Sequence, residues 1–317
     1  MSVGPVEAAA NPPVLSAFGF FKDGSHEPSA SLLPYNLRTP LFSDYAEKQR
    51  FMHLPAGATI KVDGSGKLEF PVGTALIKSF GYPSPAGRLK IIETRVLLHR
   101  NEGWVALPYV WRGDGSDADL RVGGTRMAVQ LERADRQVLD ISYAVPNKNQ
   151  CKQCHSSNNS VMPIGPVWQN MEFPRAGDKV AFIQRLRFER APLPQEAKWD
   201  DVNSGTIDER ARAYLRVNCG HCHAPTGSAS NSGLIFDGSA GAPTAFGIGK
   251  RPVAAGRASG NMEFIIQPGQ SARSILVYRM QSTDPGIAMP ELGRSSVHEE
   301  GAELLRNWID EMPSQGH

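Results

Sequence analysis

The sequence predicts an α+β multidomain chain with a β-sandwich-like N-terminal domain, a short linker region and a mostly α-helical C-terminal domain. Short segments rich in valine, isoleucine and aromatic residues fill the first half and alternate with turn-forming stretches. Near Pro146 this pattern ends, and apolar residues then recur at the three- and four-residue spacing of amphipathic helices. The length of 317 residues also favours more than one domain.

We divide the chain into four segments. Residues 1–30, rich in alanine, proline and glycine, are predicted to form an extended leader. The β-rich domain spans residues 31–145, the linker region residues 146–202 and the C-terminal domain residues 203–317. The predicted strands of the β-rich domain are residues 58–62, 67–70, 75–80, 89–99, 104–111, 127–132 and 138–145.

Helices are predicted at five places. Residues 44–51 are expected to form a short helix inside the β-rich domain, and residues 178–190 an amphipathic helix in the linker region. The C-terminal helices are expected at residues 207–217, at residues 272–281 and from Ser296 onward. Ser296 and Glu299 have the spacing of a capping box.

Charge and hydropathy narrow the class of protein. The 34 lysines and arginines barely exceed the 32 aspartates and glutamates, so charge does not indicate nucleic-acid binding. No apolar run approaches the roughly 18–20 residues of a membrane-spanning helix. We therefore expect no transmembrane segment and no nucleic-acid partner.

All four cysteines lie in two Cys-x-x-Cys-His motifs. Residues three and four apart share one face of a helical turn, so two thiols can bond the vinyl edges of one porphyrin while the histidine points to its iron. This spacing is typical of c-type haem attachment with a proximal histidine ligand. The sequence therefore predicts two c-type haems. The residues are Cys151, Cys154 and His155 in the first motif, and Cys219, Cys222 and His223 in the second.

Other uses of paired cysteines fit less well. The pairs of a zinc ribbon usually lie about 15–20 residues apart, far closer than these two pairs. A thioredoxin-like redox pair needs a βαβ context, which the sequence lacks. Structural disulfides stay open for an exported protein. None of these alternatives explains a histidine directly after both pairs.

The N-terminus and the cysteine motifs disagree about the cellular compartment. The first residues have neither the basic region nor the apolar stretch of a signal peptide, which taken alone indicates a cytoplasmic protein. Covalent haem attachment normally takes place outside the cytoplasm. We therefore expect a periplasmic protein whose export signal has been removed.

Methionine is the usual distal ligand in electron-transfer cytochromes. For the second haem we predict Met289, in a loop where the adjacent Pro290 restricts the backbone. Met280, at the end of a predicted helix, is the competing candidate, and a role in the apolar core is the alternative for both.

The C-terminal domain resembles a class I cytochrome c domain. The features that carry the resemblance are a helix running into Cys-x-x-Cys-His, a Met-Pro loop and a final amphipathic helix with a Leu-Leu-x-x-Trp-Ile ending. The resemblance implies that the first and last helices cross. The expected contact joins Tyr214 and Leu215 to Gly301, Leu305 and Trp308.

Motifs upstream extend the resemblance to nearly the whole chain. Thr-Pro-Leu-Phe-Ser-Asp-Tyr-Ala from Thr39, Ile-Glu-Thr-Arg from Ile92 and Tyr-Val-Trp from Tyr109 are similar to a family of bacterial exported di-haem c-type cytochromes. That family joins a β-rich N-terminal region to a C-terminal cytochrome c domain. The resemblance implies architecture and redox class, but no substrate.

The distal ligand of the first haem is less constrained. Met162 stands beside a proline, yet it is only seven residues from His155. Met171, Met52, His53 and His99 are further candidates, and an open or exchangeable position stays an alternative.

Electron transfer is the leading functional hypothesis, between a dehydrogenase or quinol complex and a downstream acceptor. The redox partner is unidentified, and docking to a membrane or to a periplasmic dehydrogenase is compatible with this role. The alternative is a di-haem peroxidase or oxidase-like enzyme with a catalytic first haem. In a third hypothesis, the β-rich domain is a binding module that docks onto a partner or a carbohydrate.

Overall fold

The computed structural model describes residue 6 and residues 10–22, 25–84, 87–133, 136–157 and 160–313. The chain divides into two compact units. The first comprises Met1–Leu37, Tyr45–His155 and Ser160–Gln195, and the second comprises Arg38–Asp44, Ser156–Asn159 and Glu196–His317.

Strands form most of the regular structure of the first unit. The strands among the described residues are β1 (Leu33–Pro34), β2 (Asn36–Leu37), β3 (Glu47–His53), β4 (Ile60–Val62), β5 (Leu68–Glu69), β6 (Ala75–Pro83), β7 (Leu89–Arg100), β8 (Gly103–Trp111), β9 (Ala118–Leu120), β10 (Thr125–Glu132), β11 (Val138–Val145), β12 (Ser156–Ser157), β13 (Ser160–Val161), β14 (Met171–Glu172) and β15 (Leu186–Phe188). The α-helices are α1 (Lys148–Cys154), α2 (Ala176–Ile183), α3 (Ile207–Asn218), α4 (Ile275–Gln281) and α5 (Glu299–Asp310).

A six-stranded antiparallel sheet in the order β1-β3-β6-β7-β8-β9 is the centre of the first unit. Its central strands β6 and β7 are buried on both faces over most of their length. All seven strands predicted in the β-rich domain are present. Their valines, isoleucines and aromatic residues suit a pleated and largely buried surface.

The two faces of this sheet pack against different apolar clusters. Phe51, Ile77 and Val96 lie on one face, in a cluster that also contains Leu15, Phe18 and Phe20 from the N-terminal segment. Met52, Leu76 and Leu97 lie on the other face, in a second cluster. Because successive side chains of a strand alternate between faces, neighbouring residues enter different clusters.

The N-terminal segment, expected as an extended leader, contains a 3₁₀ helix at Leu15–Phe18 within its described part. Leu15, Phe18 and Phe20 are buried. These described residues therefore contribute to the core of the first unit.

Two helix predictions in this unit are wrong. Residues 47–51 of the segment 44–51, which is rich in helix-forming residues, instead belong to strand β3. Strand β3 pairs with β6 over its whole length and with β1 at Phe51 and Met52, and this pairing outweighs helix propensity. In residues 178–190, helix α2 ends at Ile183 and Leu186–Phe188 forms β15, parallel to β4.

The second unit contains α3, α4 and α5, which have 12, 7 and 12 residues. The prediction of a mostly α-helical class I cytochrome c domain is wrong, because turns, short 3₁₀ helices and loops occupy most of the segment between α3 and α4. Gly247 and Gly260 of this segment have φ of 94° and 56°, values that interrupt a right-handed helix. The fold class predicted for the whole chain is therefore incorrect.

The expected contact between the first and last helices of this unit is present. Side chains of α3 and α5 share one apolar cluster that includes Leu215, Leu305 and Trp308. At Gly301 the helices approach so closely that a β-carbon would clash with the Tyr214 hydroxyl. The glycine is therefore required by the close approach of α3.

The start of α5 differs from the prediction. The helix begins at Glu299 with His298 as its N-cap, and the His298 side chain makes no capping bond. Ser296, the predicted N-cap, instead donates its backbone N–H and its hydroxyl to the Asp44 carboxylate, at 2.8 and 2.7 Å. A partner distant in sequence therefore replaces the local capping box.

Among the described residues, no helix is both long enough and apolar enough to cross a membrane.

Candidate haem-binding motifs

Helix α1 positions the first motif. Asn147 caps it with a reciprocal pair of bonds: its side chain accepts from the Gln150 N–H at 2.9 Å, and its own N–H donates to the Gln150 side chain at 3.0 Å. The helix ends at Cys154, and the His155 N–H donates to the Cys151 carbonyl at 3.0 Å. The capping pair was visible in the sequence as Asn and Gln three residues apart.

Helix α3 leads into the second motif. Thr206 and Glu209 form a capping box at its start, and Cys219 follows its last residue. The His223 N–H donates to the Cys219 carbonyl at 2.9 Å. Gly220, between the cysteines, lies so close to the Phe236 carbonyl that a β-carbon there would be only 3.0 Å from it.

Both motifs therefore close the same turn. In each, the histidine N–H bonds to the carbonyl of the first cysteine four residues before it, as in an α-helix. This turn places the first cysteine, the second cysteine and the histidine on one side of the backbone. It is the arrangement that thioether attachment and proximal ligation to one porphyrin require.

The His155 ring is oriented by a backbone group. Its Nδ1 lies 2.9 Å from the Met162 carbonyl oxygen. A carbonyl only accepts hydrogen bonds, so Nδ1 carries the hydrogen and Nε2 keeps its lone pair.

The His223 ring also carries its hydrogen on Nδ1, and here the acceptor is a hydroxyl. Its Nδ1 lies 3.0 Å from Ser232 Oγ, and that hydroxyl donates its hydrogen to the Ala229 carbonyl at 2.7 Å. His223 Nδ1 is therefore the donor, and Nε2 again keeps its lone pair. Burial lowers the pKa of His223, which favours the neutral imidazole that binds metals.

The thiols lack the character of a reactive redox pair. Burial raises the pKa of the Cys219 thiol to about 12, with the charge of Cys222 as the second cause. Burial also raises the pKa of Cys151. A catalytic cysteine of the thioredoxin type has a lowered pKa, so these values argue against that alternative.

The four cysteines, all within the described residues, are thiols rather than disulfides. Within the same residues, no three or more His, Cys, Asp or Glu side chains converge as a zinc site would require.

Met289 lies in a loop held by two arginines. Its N–H donates to the Arg279 carbonyl at 3.0 Å, and Arg294 Nη2 donates to its carbonyl at 2.8 Å. The charge of Arg279 acts on the pKa of His223. Arg294 and the Cys219 thiol also interact electrostatically. The two arginines that hold the Met289 loop therefore lie near the second motif.

Met280, the competing candidate, is 6% exposed and belongs to the apolar cluster of the second unit. This is the core role that methionine most often has. Met289 is less buried than Met280.

Met162 lies on the Nδ1 side of His155, since its carbonyl is the acceptor for that nitrogen. A residue that also held an iron bound by His155 would have to reach the Nε2 side of the ring. The position of Met162 therefore lends no support to its assignment, which stays a prediction. Its sulfur lies 3.9 Å from Lys67 Nζ.

The other candidates for the first haem are engaged elsewhere or buried. Met52 and Met171 belong to an apolar cluster of the first unit. His99 stacks on Trp104 with the ring centroids 4.5 Å apart, and its Nδ1 contacts the Phe70 carbonyl at 2.9 Å. His53 is half-buried, and its buried Nδ1 has no hydrogen-bond partner among the described residues.

Several charged residues lie near the first motif. Arg95 and Glu93 form an ion pair, with Arg95 Nε 2.6 Å from Glu93 Oε1. The charge of Cys154 acts on the pKa of Lys78, and the charge of Cys151 on that of Arg95. A lone lysine in the apolar segment of residues 75–80 was the available signal for Lys78.

The chain matches no known protein family, no curated protein and no solved structure.

Proposed function

We propose that the chain is a periplasmic di-haem c-type cytochrome that transfers electrons. The observation that best supports this is shared by the two motifs. Each histidine donates its Nδ1 hydrogen within the chain, at 2.9 Å in the first motif and 3.0 Å in the second, so Nε2 is the ring nitrogen that would bind a metal. An oriented imidazole of this kind is typical of metal-binding histidines.

In each motif, two cysteines and one histidine would bind one haem. Cys151 and Cys154 would hold the first haem, and Cys219 and Cys222 the second. In each attachment a thiol S–H adds across a vinyl C=C bond: sulfur bonds to one carbon, the hydrogen goes to the other, and no oxidant is consumed. His155 and His223 supply the proximal nitrogen ligands.

Haem iron supplies one-electron redox chemistry, and the protein controls its potential through ligands and burial. Met289 is proposed as the distal ligand of the second haem, which would make that haem a closed relay. The donor we propose is a dehydrogenase or quinol complex, and each electron received is passed to a downstream acceptor. Periplasmic location follows from where covalent attachment takes place.

Spectroscopy of the intact holoprotein tests this function. The chain, produced with an export signal in a host that matures c-type cytochromes, is examined by optical absorption and EPR before and after addition of peroxide. Electron transfer predicts two haems that are reduced and reoxidised by one electron each and do not consume peroxide. A high-spin first haem that turns over peroxide would replace the proposal with the peroxidase-like alternative.

A further inference from the structure

A row of three cations crosses the main sheet of the first unit. In the strand register, Arg50 of β3 is paired with Lys78 of β6, and Lys78 is paired with Arg95 of β7. Directly paired residues lie on the same face of a sheet. Neighbouring strands are about 4.8 Å apart, so the row is about 10 Å long.

Arg95 has a counter-ion. Its guanidinium binds both oxygens of Glu93, with nitrogen–oxygen distances of 2.6 and 2.9 Å. Tyr143 donates its hydroxyl to the same carboxylate at 2.6 Å. Glu93 is fully buried, so this trio is a neutral and fixed part of the face.

Lys78 and Arg50 have no such partner. Within the described residues neither side chain forms a hydrogen bond or an ion pair, and the Lys78 ammonium lies over the Phe80 ring, 5.0 Å from its centroid. Arg50 is only 7% exposed. Burial lowers the pKa of Lys78 to about 7, with the charges of Arg95 and Arg50 as further causes, and burial also lowers the pKa of Arg50.

The row lies beside the first motif. The charge of Cys154 influences Lys78, and the charges of Lys78 and Arg95 influence Cys151. Helix α1, which carries both cysteines, packs against β8, the strand next to β7.

Apolar side chains flank the row on the same face. On one side lies the paired set Met52, Leu76 and Leu97, and on the other lies Phe80, which packs against Tyr143. Two cations therefore lie between apolar side chains, all of which are buried. A porphyrin has the matching character, since its ring is apolar and its two propionates are anionic.

We propose that Lys78 and Arg50 bind the two propionate carboxylates of the haem attached at Cys151 and Cys154. The charges balance, because two cations without counter-ions meet two carboxylates while Arg95 and Glu93 neutralise each other. Charge-assisted bonds of this type are among the stronger hydrogen bonds in proteins. The inference rests on the proposed function, because it requires a haem at the first motif.

Three single variants of the full-length holoprotein test it. Lys78→Met and Arg50→Met remove the charge but keep a long side chain, and Lys78→Arg restores a cation. Lys90→Met is the matched control, because Lys90 is exposed on the neighbouring strand β7. Mass spectrometry of the cysteine peptides first determines whether haem is attached at the first motif.

Resonance Raman scattering from the propionate bending modes is the decisive measurement. Lys78→Met and Arg50→Met are expected to shift these modes for one haem only, Lys78→Arg to restore them, and Lys90→Met to leave them unchanged. The potential of the same haem should fall in both methionine variants, because a nearby cation disfavours ferric iron. The expected fall corresponds to about a tenfold change in the equilibrium constant, or about 59 mV for one electron.

Three outcomes would contradict either this inference or the proposed function, and the measurements distinguish between the two. Attached haem with unchanged propionate modes in both methionine variants overturns the inference and leaves the proposed function standing. A saturable spectral change on adding phosphate to the wild-type protein, absent from Lys78→Met, also overturns it, since the cations would then serve an external anion. No haem at Cys151 and Cys154 overturns the proposed function for this motif.

Discussion

The side chains around each motif histidine determine which of its nitrogens can bind iron. His155 donates to a backbone carbonyl, and His223 donates to a hydroxyl whose hydrogen is already used. Two different surroundings therefore produce the same tautomer. The sequence could predict both histidines from their spacing, but their acceptors Met162 and Ser232 depend on loop conformations that spacing does not reveal.

Loss of the Ser232 hydroxyl should change the second haem alone. Ser232→Ala removes the acceptor of His223 Nδ1, which makes the imidazole a weaker donor to ferric iron and raises the potential of that haem. The effect should not exceed about 1 kcal/mol, the net worth of one neutral hydrogen bond. Redox titration checks it, with Ser230→Ala as control because Ser230 is exposed. A lower potential in Ser232→Ala would contradict the proposed orientation.

Replacement of Met289 should remove one distal ligand. Met289→Ala is expected to abolish the methionine-ligated signal of one haem and to lower its potential, since a methionine ligand raises the potential. Optical and EPR spectra measure both effects. Met280→Leu, a change in the apolar core, should leave both haems as they are. Loss of the methionine signal in Met280→Leu instead would move the assignment to the other candidate.

At the scale of elements, local sequence predicts strands better than it predicts the ends and caps of helices. The seven strands of residues 58–145 have alternating or continuous apolar patterns that a sheet buries. Residues 44–51 contain good helix formers, yet residues 47–51 pair with β6 as part of strand β3. Ser296 has the spacing of a helix cap, but Asp44, about 250 positions earlier, binds it. Such distant partners leave no local signal.

The crossing of α3 and α5 gives an element-level prediction. Gly301→Ala places a β-carbon against the Tyr214 hydroxyl and the His298 ring, and overpacking of this kind costs about 1–3 kcal/mol. Thermal or denaturant unfolding measures the loss of stability. Gly177→Ala in α2 is the matched control, because nothing lies within 4 Å of its β-carbon. That substitution should be neutral or should stabilise the protein by up to about 1 kcal/mol.

A neutral or stabilising effect of Gly301→Ala, like the one expected of Gly177→Ala, would contradict the close crossing. The substitution would then report only the higher helix propensity of alanine.

At the scale of the whole molecule, each motif lies in its own compact unit. The first lies in the sheet-rich unit, near a row of cations. The second directly follows helix α3 and lies near the Met289 loop. The mostly α-helical C-terminal domain was not found, because the glycine-rich segment after His223 forms turns and loops. The cation row was not predicted either, since the register that aligns Arg50, Lys78 and Arg95 joins residues far apart in sequence.

Mass spectrometry of the mature holoprotein and its cysteine variants tests whether both motifs carry haem. Two haems per wild-type chain are expected, one on the peptide with Cys151 and Cys154 and one on the peptide with Cys219 and Cys222. Replacing either cysteine pair with alanine should remove one haem and leave the other attached, in protein that remains folded by circular dichroism. Folded wild-type protein purified from the same host with free thiols, disulfides or zinc in place of both haems would contradict the assignment of the two motifs as haem sites.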